Sequence, residues 1–397
     1  MKTNFIFASE SATGGHPDKL CDQISDAIVD RFLDQDPRAT IRAECAVSTA
    51  VLFLAARFSS SATVDVAQVA RKVIRKAGYE HEDFNSTTCS ILTSLKELPP
   101  DDSRRFDERD LSDEEMDRIH VKQQGTFFGY ACNQTPSLMP MPIMLAHKLA
   151  MRIDFVRQQK LLPYLAPDGK TQVGVEYRNR KPAGIYSVGV AVTQLAGATM
   201  PSRKLADDIR QAVIEPVFSD EPVRPDEQTK LFINPEGVTM LGGPSVHSGL
   251  TGRKNAVDTY GEYSRYSGSA LSGKDPLRID RVGVYASRYA AKNVVAAHLA
   301  DECEVQLTYS IGSSHPVSVQ VDTFDTGKLP DAEIADLIKK HFDFRLAAIV
   351  KEFDLRSLPA RMKGDFYRRL AVYGHVGRTD LELPWEKTDR ADLLGEQ

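Results

Sequence analysis

Strand pairs followed by a helix recur along the whole chain, and that recurrence limits the fold more than any other feature. The apolar spacing predicts a strand at 4–8, a polar turn over 9–19 and a helix over 20–34. Leu20, Ile24, Ala27 and Ile28 form the buried stripe of that helix. Asp22, Asp26, Asp30 and Asp34 recur every four residues on another face, which reads as a solvated acidic surface. Strands at 43–49 and 51–58 and an amphipathic helix at 64–77 follow. Farther on, a strand or loop and then a helix lie in 127–149, a hairpin takes 172–177 and 186–193, and 204–215 is helical. A linker spans 222–230. A glycine- and serine-rich stretch, 242–273, precedes a long helix at 281–299. Strands at 304–311 and 317–324 and a helix at 331–342 close the pattern. The expected class is layered α+β with duplicated units. At 397 residues, two or three domains are expected.

The charge argues against whole classes of function. Net charge is −5 with no basic stripe, so a nucleic-acid partner is not expected, and an anionic ligand must be held by a local group of cations. No apolar run is long enough for a bilayer, and the first residues carry no signal-peptide pattern. Five cysteines, widely spaced and odd in number, do not read as a disulfide framework or a zinc knuckle. A cytoplasmic protein is expected.

Three motifs carry chemistry. Gly14-Gly15-His16-Pro17-Asp18-Lys19 sits on the turn before the first helix, where free N–H groups favour an anion. His16 can transfer a proton or stabilise charge on a leaving phosphate, and Asp18 is an oxygen ligand suited to magnesium. Gly268-Ser269-Ala270-Leu271-Ser272-Gly273-Lys274 fits a phosphate loop as far as Lys274. Asp275-Pro276 stands where such a loop needs Ser or Thr and a helix. It is either a phosphate loop of another kind or a chance match, with Asp280 nearby as a second metal ligand. Gly249-Leu250-Thr251-Gly252-Arg253-Lys254 puts two cations on a glycine-flanked turn. Together with Lys19, Lys274 and Lys170 (in Pro167-Asp168-Gly169-Lys170), they supply the charge a triphosphate needs.

These motifs, in this order, resemble the S-adenosylmethionine synthetase family over nearly the whole chain. The resemblance includes SESATGGHPDK (9–19), FFGYACN (127–133), PDGKTQV (167–173), FINPEG (232–237) and GLTGRKNAVDTYG (249–261). It continues with LSGKDP (271–276), YAAKNVVAAHLADECEVQLTYSIG (289–312), YGHVGR (373–378) and PWEKTD (384–389). It implies three similar α/β subdomains around a pseudo-threefold axis. The corresponding boundaries are 1–102, a mobile lid loop at 103–120, a central domain at 121–234 and a C-terminal domain at 235–397. It also implies a homodimer or homotetramer with active sites at the dimer interface. In the implied reaction, a thioether sulfur attacks C5′ of ATP, and the displaced triphosphate is cleaved to phosphate and pyrophosphate. By the resemblance, His16, Lys170, Arg253 and Lys274 are catalytic, and Lys19, Asp168, Phe232 and Lys254 complete the ATP site. Asp18 and Asp280 hold magnesium, and Glu44 holds potassium.

Departures from the family pattern gather at the expected nucleophile pocket. Ala55-Ala56-Arg57 replaces Gly-Gly-Glu, and Lys122-Gln123-Gln124-Gly125 replaces Gly-Asp-Gln-Gly. His247 stands for an aspartate and Arg278 for a lysine, while Leu98 falls near the lid glutamine. Methionine is the default substrate. A thioether with more negative charge or no amine is the alternative, and a non-catalytic partner subunit of an active synthetase is another.

Overall fold

The computed structural model describes residues 3–80, 84–101, 105–198, 200–237 and 242–395. The first third contains β1 (Phe5–Ala12), α1 (Pro17–Gln35), β2 (Thr40–Ser48), β3 (Val51–Ser59), α2 (Val66–Ala77), β4 (Ser90–Glu97) and α3 (Asp113–Asp117). The middle third contains β5 (Gly125–Cys132), α4 (Met141–Gln158), β6 (Leu165–Arg178), β7 (Lys181–Gln194), α5 (Ser202–Ile209), α6 (Glu215–Phe218) and β8 (Lys230–Ile233). The last third contains β9 (Gly249–Leu250), α7 (Asn255–Asp258), α8 (Ile279–Ala296), β10 (Glu302–Tyr309), β11 (Ser318–Asp322), α9 (Asp331–His341) and α10 (Leu346–Glu352). The short helices α11 (Leu358–Arg361), α12 (Tyr367–Leu370) and α13 (Ala391–Gly395) complete it.

Three sheets result, ordered β1-β6-β7-β8, β11-β10-β5 and β4-β3-β2-β9. The first strand of each third leaves it. β1 pairs antiparallel with β6 in the middle third, β5 with β10 in the last, and β9 with β2 in the first. This cyclic exchange ties the thirds together through backbone hydrogen bonds and accords with the expected three-part α+β class. Each sheet is backed by one long helix: α1 against β2, α4 against β6 and β1, and α8 against β5 and β10. Where β5 crosses α8 the fit is so close that a Cβ on Gly129 would lie 1.9 Å from the Ser287 carbonyl carbon.

Several elements differ from the expectation. β1 runs through residues read as a polar turn, and α1 starts at Pro17, whose fixed φ and missing N–H suit the first helical position. The hairpin strands are 14 residues each, with the expected segments at their centres. The edge strand β4 was not anticipated, since SILTSLKE is exposed at nearly every position and lacks a period-two pattern. The expected helix at 204–215 is α5 and α6 joined by a π-helical turn, Arg210–Ile214. Of the segment read as a lid, residues 103 and 104 lie outside the described residues. The remainder packs on α10: Met116 meets Ala347 and Ala348, and Glu108 pairs with the buried Arg356 at 3.3 Å.

The acidic row on α1 is the largest correction. Asp22, Asp26 and Asp30 are 0 % exposed, and each holds backbone N–H groups of the last third. Asp18 accepts from Leu250 (3.0 Å), Asp22 from Gly252 (2.8 Å) and Asp26 from Gly273 (2.8 Å). Asp30 accepts from Tyr367 and Arg368 (both 2.9 Å). Only Asp34, half-buried and paired with Arg31, behaves as a surface acid. The row is a ladder that fastens three loops to one helix, because carboxylates satisfy N–H groups the loops cannot pair among themselves.

Candidate active site

The N-terminus of α1 is set by a turn that leaves no room for side chains. A Cβ on Gly15 would lie 2.3 Å from the Pro167 carbonyl oxygen. Gly14 N–H donates to Asp154 Oδ2 at 2.7 Å, and Tyr373 Oη donates to the same oxygen at 2.5 Å. Tyr79 donates its hydroxyl to the Gly15 carbonyl. This scaffold fixes His16 as the cap of α1, with Nδ1 accepting the Asp18 N–H at 3.2 Å. His16 is 1 % exposed, and its Nε2 has no hydrogen-bond partner among the described residues. Burial pushes its pKa down to about 3, Asp168 opposes that shift, and Lys170, His247 and Lys254 reinforce it. The ring is neutral at pH 7. Because Nδ1 accepts, the proton sits on Nε2.

Around that nitrogen, side chains from all three thirds of the chain converge. Asp168, buried on β6, accepts from Gly243 N–H and pairs with His247 Nε2, both at 2.8 Å. Burial works to raise its carboxyl, but the His247 contact, the nearby His16 and the Gly243 N–H hold it below the ordinary range. The His16 and His247 rings lie 5.1 Å apart. Asp18 Oδ1 faces Arg253 at 3.3 Å, Lys254 pairs with Glu10 of β1 at 2.7 Å, and Lys170 is exposed on β6 beside Ala12 of β1. His16, Asp18, Asp168, Lys170, His247, Arg253 and Lys254 are thus brought together. They form a neutral proton donor, a second imidazole, two carboxylates and three cations at a helix N-terminus, a site suited to a polyanion.

A second group lies elsewhere on the same helix. Gly273 hangs from Asp26, eight residues along α1 from Asp18, or about 12 Å away. There Lys274 faces Asp280 at 3.4 Å. Both are buried, and neither Asp280 oxygen has a hydrogen-bond partner among the described residues. Burial lowers the Lys274 pKa and Asp280 opposes the shift. Asp275 accepts the Ile41 N–H at 2.9 Å, and α8 does not begin until Ile279, so the glycine-rich stretch does not lead straight into a helix. Lys274 bridges Arg42 on β2, Arg42 pairs in register with Arg57 on β3, and Arg57 with Lys96 on β4. Four cations therefore cross one level of the sheet, three of them exposed. Like charges on neighbouring strands repel, so this row favours an anionic ligand. Glu44 joins it through Arg42, at 2.6 Å.

The remaining expected site residues divide. Lys19 does not join the His16 group. It is 0 % exposed, between Asp22 (2.8 Å) and Asp258 (2.5 Å), so its charge is already consumed inside the protein. The phosphate role expected of it is corrected to a structural one. Phe232 is an exposed ring on β8, and Arg278 stands just before α8 with its Nε 3.6 Å from Asp275 Oδ2. Leu98 ends β4 with its N–H on the Phe58 carbonyl (2.7 Å), and Gln123 is half-buried ahead of β5. Within one chain, Arg57, Leu98, Gln123 and Arg278 do not form one pocket with His247, whose neighbours are His16 and Asp168. Sequence reasoning missed Asp154, Tyr79 and Tyr373, which hold the Gly14-Gly15 turn, and Arg42. Arg42 alone had a signal, as a cation two residues from Glu44 on the same strand face.

Fold and site together define a three-sheet α+β protein in which a buried histidine caps a long helix beside a group of carboxylates and cations. Models of the S-adenosylmethionine synthetase N-terminal, central and C-terminal domains match residues 4–100, 118–239 and 241–387. An S-adenosylmethionine synthase of Gloeothece citriformis is 46% identical over 407 residues, spanning 99% of this chain and 97% of that protein. That of Thermosynechococcus vestitus is 47% identical over 403 residues (98% and 97%), and that of Trichodesmium erythraeum 43% over 407 (99% and 97%). The chain belongs to the S-adenosylmethionine synthetase family. No helix among the described residues is long and apolar enough to cross a membrane.

Proposed function

We propose that the chain is an ATP-dependent methionine adenosyltransferase. The methionine sulfur lone pair attacks C5′ of ATP, the C5′–O bond breaks, and the triphosphate leaves. Water then cleaves the triphosphate to phosphate and pyrophosphate. The observation that carries this reading is the Nε2 of buried His16, which has no hydrogen-bond partner among the described residues and is grouped with Lys170, Arg253 and Lys254. A donor aimed at the oxygen where charge develops stabilises the departing triphosphate without prior reorganisation. The exposed Phe232 ring suits a stacking role against adenine. The relatives, each named a synthase, favour methionine over a different thioether and over a non-catalytic subunit.

Asp280, buried, ion-paired with Lys274 and with neither oxygen hydrogen-bonded among the described residues, fits a divalent cation, and Asp18 Oδ2 is the second candidate ligand for magnesium. Glu44 has one oxygen committed to Arg42, which leaves Oε2 for potassium. Bound magnesium would neutralise triphosphate charge. The separation of the two groups along α1, about 12 Å of helix rise between Asp18 and Asp26, is explained by a homodimer in which one copy's Lys274–Asp280 group completes the other's His16 site. The sheet face carrying the cation row also exposes Val51, Phe53, Leu92 and Leu250, an apolar patch suited to that contact. A cytoplasmic location accords with this reading. Replacing His16 by Asn tests it: kcat falls about a hundredfold or more while the Kd for ATP moves little. Unchanged turnover overturns the assignment.

A further inference from the structure

The side chains around His16 also form a ligand set that adenosyl transfer does not require. One ring nitrogen of His16, one of His247 and one carboxylate oxygen of Asp168 all lie within 4.8 Å of one another. His247 Nε2 and Asp168 Oδ2 are already 2.8 Å apart. Zinc bonds imidazole nitrogen at about 2.0–2.1 Å and carboxylate oxygen at about 2.0–2.2 Å, so ligands around it sit about 3–3.5 Å apart. Shifts on the order of 1 Å bring the three donors to that spacing. The framework permits this, because His16 and Asp168 are anchored on α1 and β6, while His247, with 38% of its side chain exposed, lies on a loop and can turn.

A second observation points the same way. Nε2 of His16 is buried with no hydrogen-bond partner among the described residues. Asp18 Oδ2 stands 3.9 Å behind Nδ1. Moving the ring proton from Nε2 to Nδ1 frees Nε2 as a ligand; Nδ1 then gives up the Asp18 N–H it accepts and turns its proton toward Asp18 Oδ2, the supporting place that carboxylates take behind metal-bound imidazoles. We propose that His16, Asp168 and His247 form a binding site for a transition-metal ion of the zinc class. Two imidazoles and one carboxylate discriminate against magnesium, which prefers an all-oxygen shell, so the ion of turnover does not compete. Three protein ligands leave one position open. Occupancy switches the enzyme off, because Nε2 is then a ligand and no longer a proton donor. That consequence rests on the role proposed for His16 above, whereas binding itself does not.

The test is an optical titration of the metal-free full chain with Co2+ alone. The visible bands of Co2+ intensify in a low-coordinate nitrogen and oxygen site. Bands that saturate at one ion per chain, are bleached by Zn2+ and weaken at least about tenfold in affinity in His247→Asn and Asp168→Asn are expected. Circular dichroism of each variant confirms the fold. Bands that do not saturate at one ion per chain, or that survive unchanged in both variants, overturn the site. The consequence is read separately: one equivalent of Zn2+ should suppress triphosphate hydrolysis in the unaltered chain. Absence of hydrolytic activity would count against the function and leave the optical result standing.

Discussion

Removing Asp26 should damage the protein far more than removing its neighbour on the same helix, Asp34. Asp26 accepts the Gly273 N–H and pairs with Arg281, and both side chains of the pair are 0% exposed. Arg281 has no other anion against it: Nε and Nη1 lack hydrogen-bond partners among the described residues, and the Tyr367 ring lies 4.4 Å from its guanidinium carbon. Asp26→Ala leaves a buried guanidinium uncompensated, at about 3–5 kcal/mol, and orphans a backbone N–H, at about 1–3 kcal/mol. The total, at least about 4 kcal/mol, is a large share of the stability of an ordinary domain. Asp34→Ala breaks only a partly exposed pair with Arg31, worth about 0.3–0.5 kcal/mol. Urea unfolding followed by far-ultraviolet circular dichroism measures both. Asp26→Leu combined with Arg281→Met should recover much of the loss, since an apolar pair leaves no buried charge. If Asp26→Ala lies within about 1 kcal/mol of the parent, or matches Asp34→Ala, the ladder is not what fastens the loops to α1.

Three further outcomes are expected. Lys19→Met should cost at least about 3 kcal/mol, because Asp22 and Asp258 then face each other in the interior, while the Kd of the folded protein for ATP stays within about twofold; a large loss of ATP affinity at unchanged stability would restore Lys19 to the phosphate site. His16 and His147 are both held neutral by burial, with pKa values near 3 against about 6.5 unfolded. Between those values only the unfolded chain takes up the protons, so stability is fully present above pH 6.5 and falls as pH drops toward 3, by up to about 1.4 kcal/mol per pH unit for each ring. His147→Gln should reduce that slope by about one proton in urea midpoints measured from pH 4 to 7. Gly15→Ala should displace the turn against the Pro167 carbonyl and cost about 1–3 kcal/mol, with loss of turnover exceeding the loss of folded protein; normal kcat in that variant would show that the His16 position tolerates movement.

The strands and helices with clean periods were legible, as was the Gly14-Gly15-His16 turn ahead of α1. The fate of polar faces was not. The spacing of Asp22, Asp26 and Asp30 shows that they share a face, but period alone cannot say whether water or the backbone of a distant loop meets it. The same limit misplaced Lys19, whose two partners include Asp258, 239 residues away. The exchange of strands was invisible because β1 and β5 look like ordinary strands until their partners are known, and the two-residue β9 lies in a stretch read only as rich in glycine and serine. Asp154 and Tyr79 act through backbone atoms of Gly14 and Gly15, Tyr373 acts through Asp154, and such contacts leave no pattern in the sequence.

Adenosyl transfer is tested most directly by incubating the purified chain with ATP, magnesium, potassium and methionine and identifying every product by mass spectrometry. S-adenosylmethionine formed together with orthophosphate and pyrophosphate, and without ADP, is the predicted result. ADP formed independently of methionine, or a sulfonium that appears only with some other thioether, would contradict it.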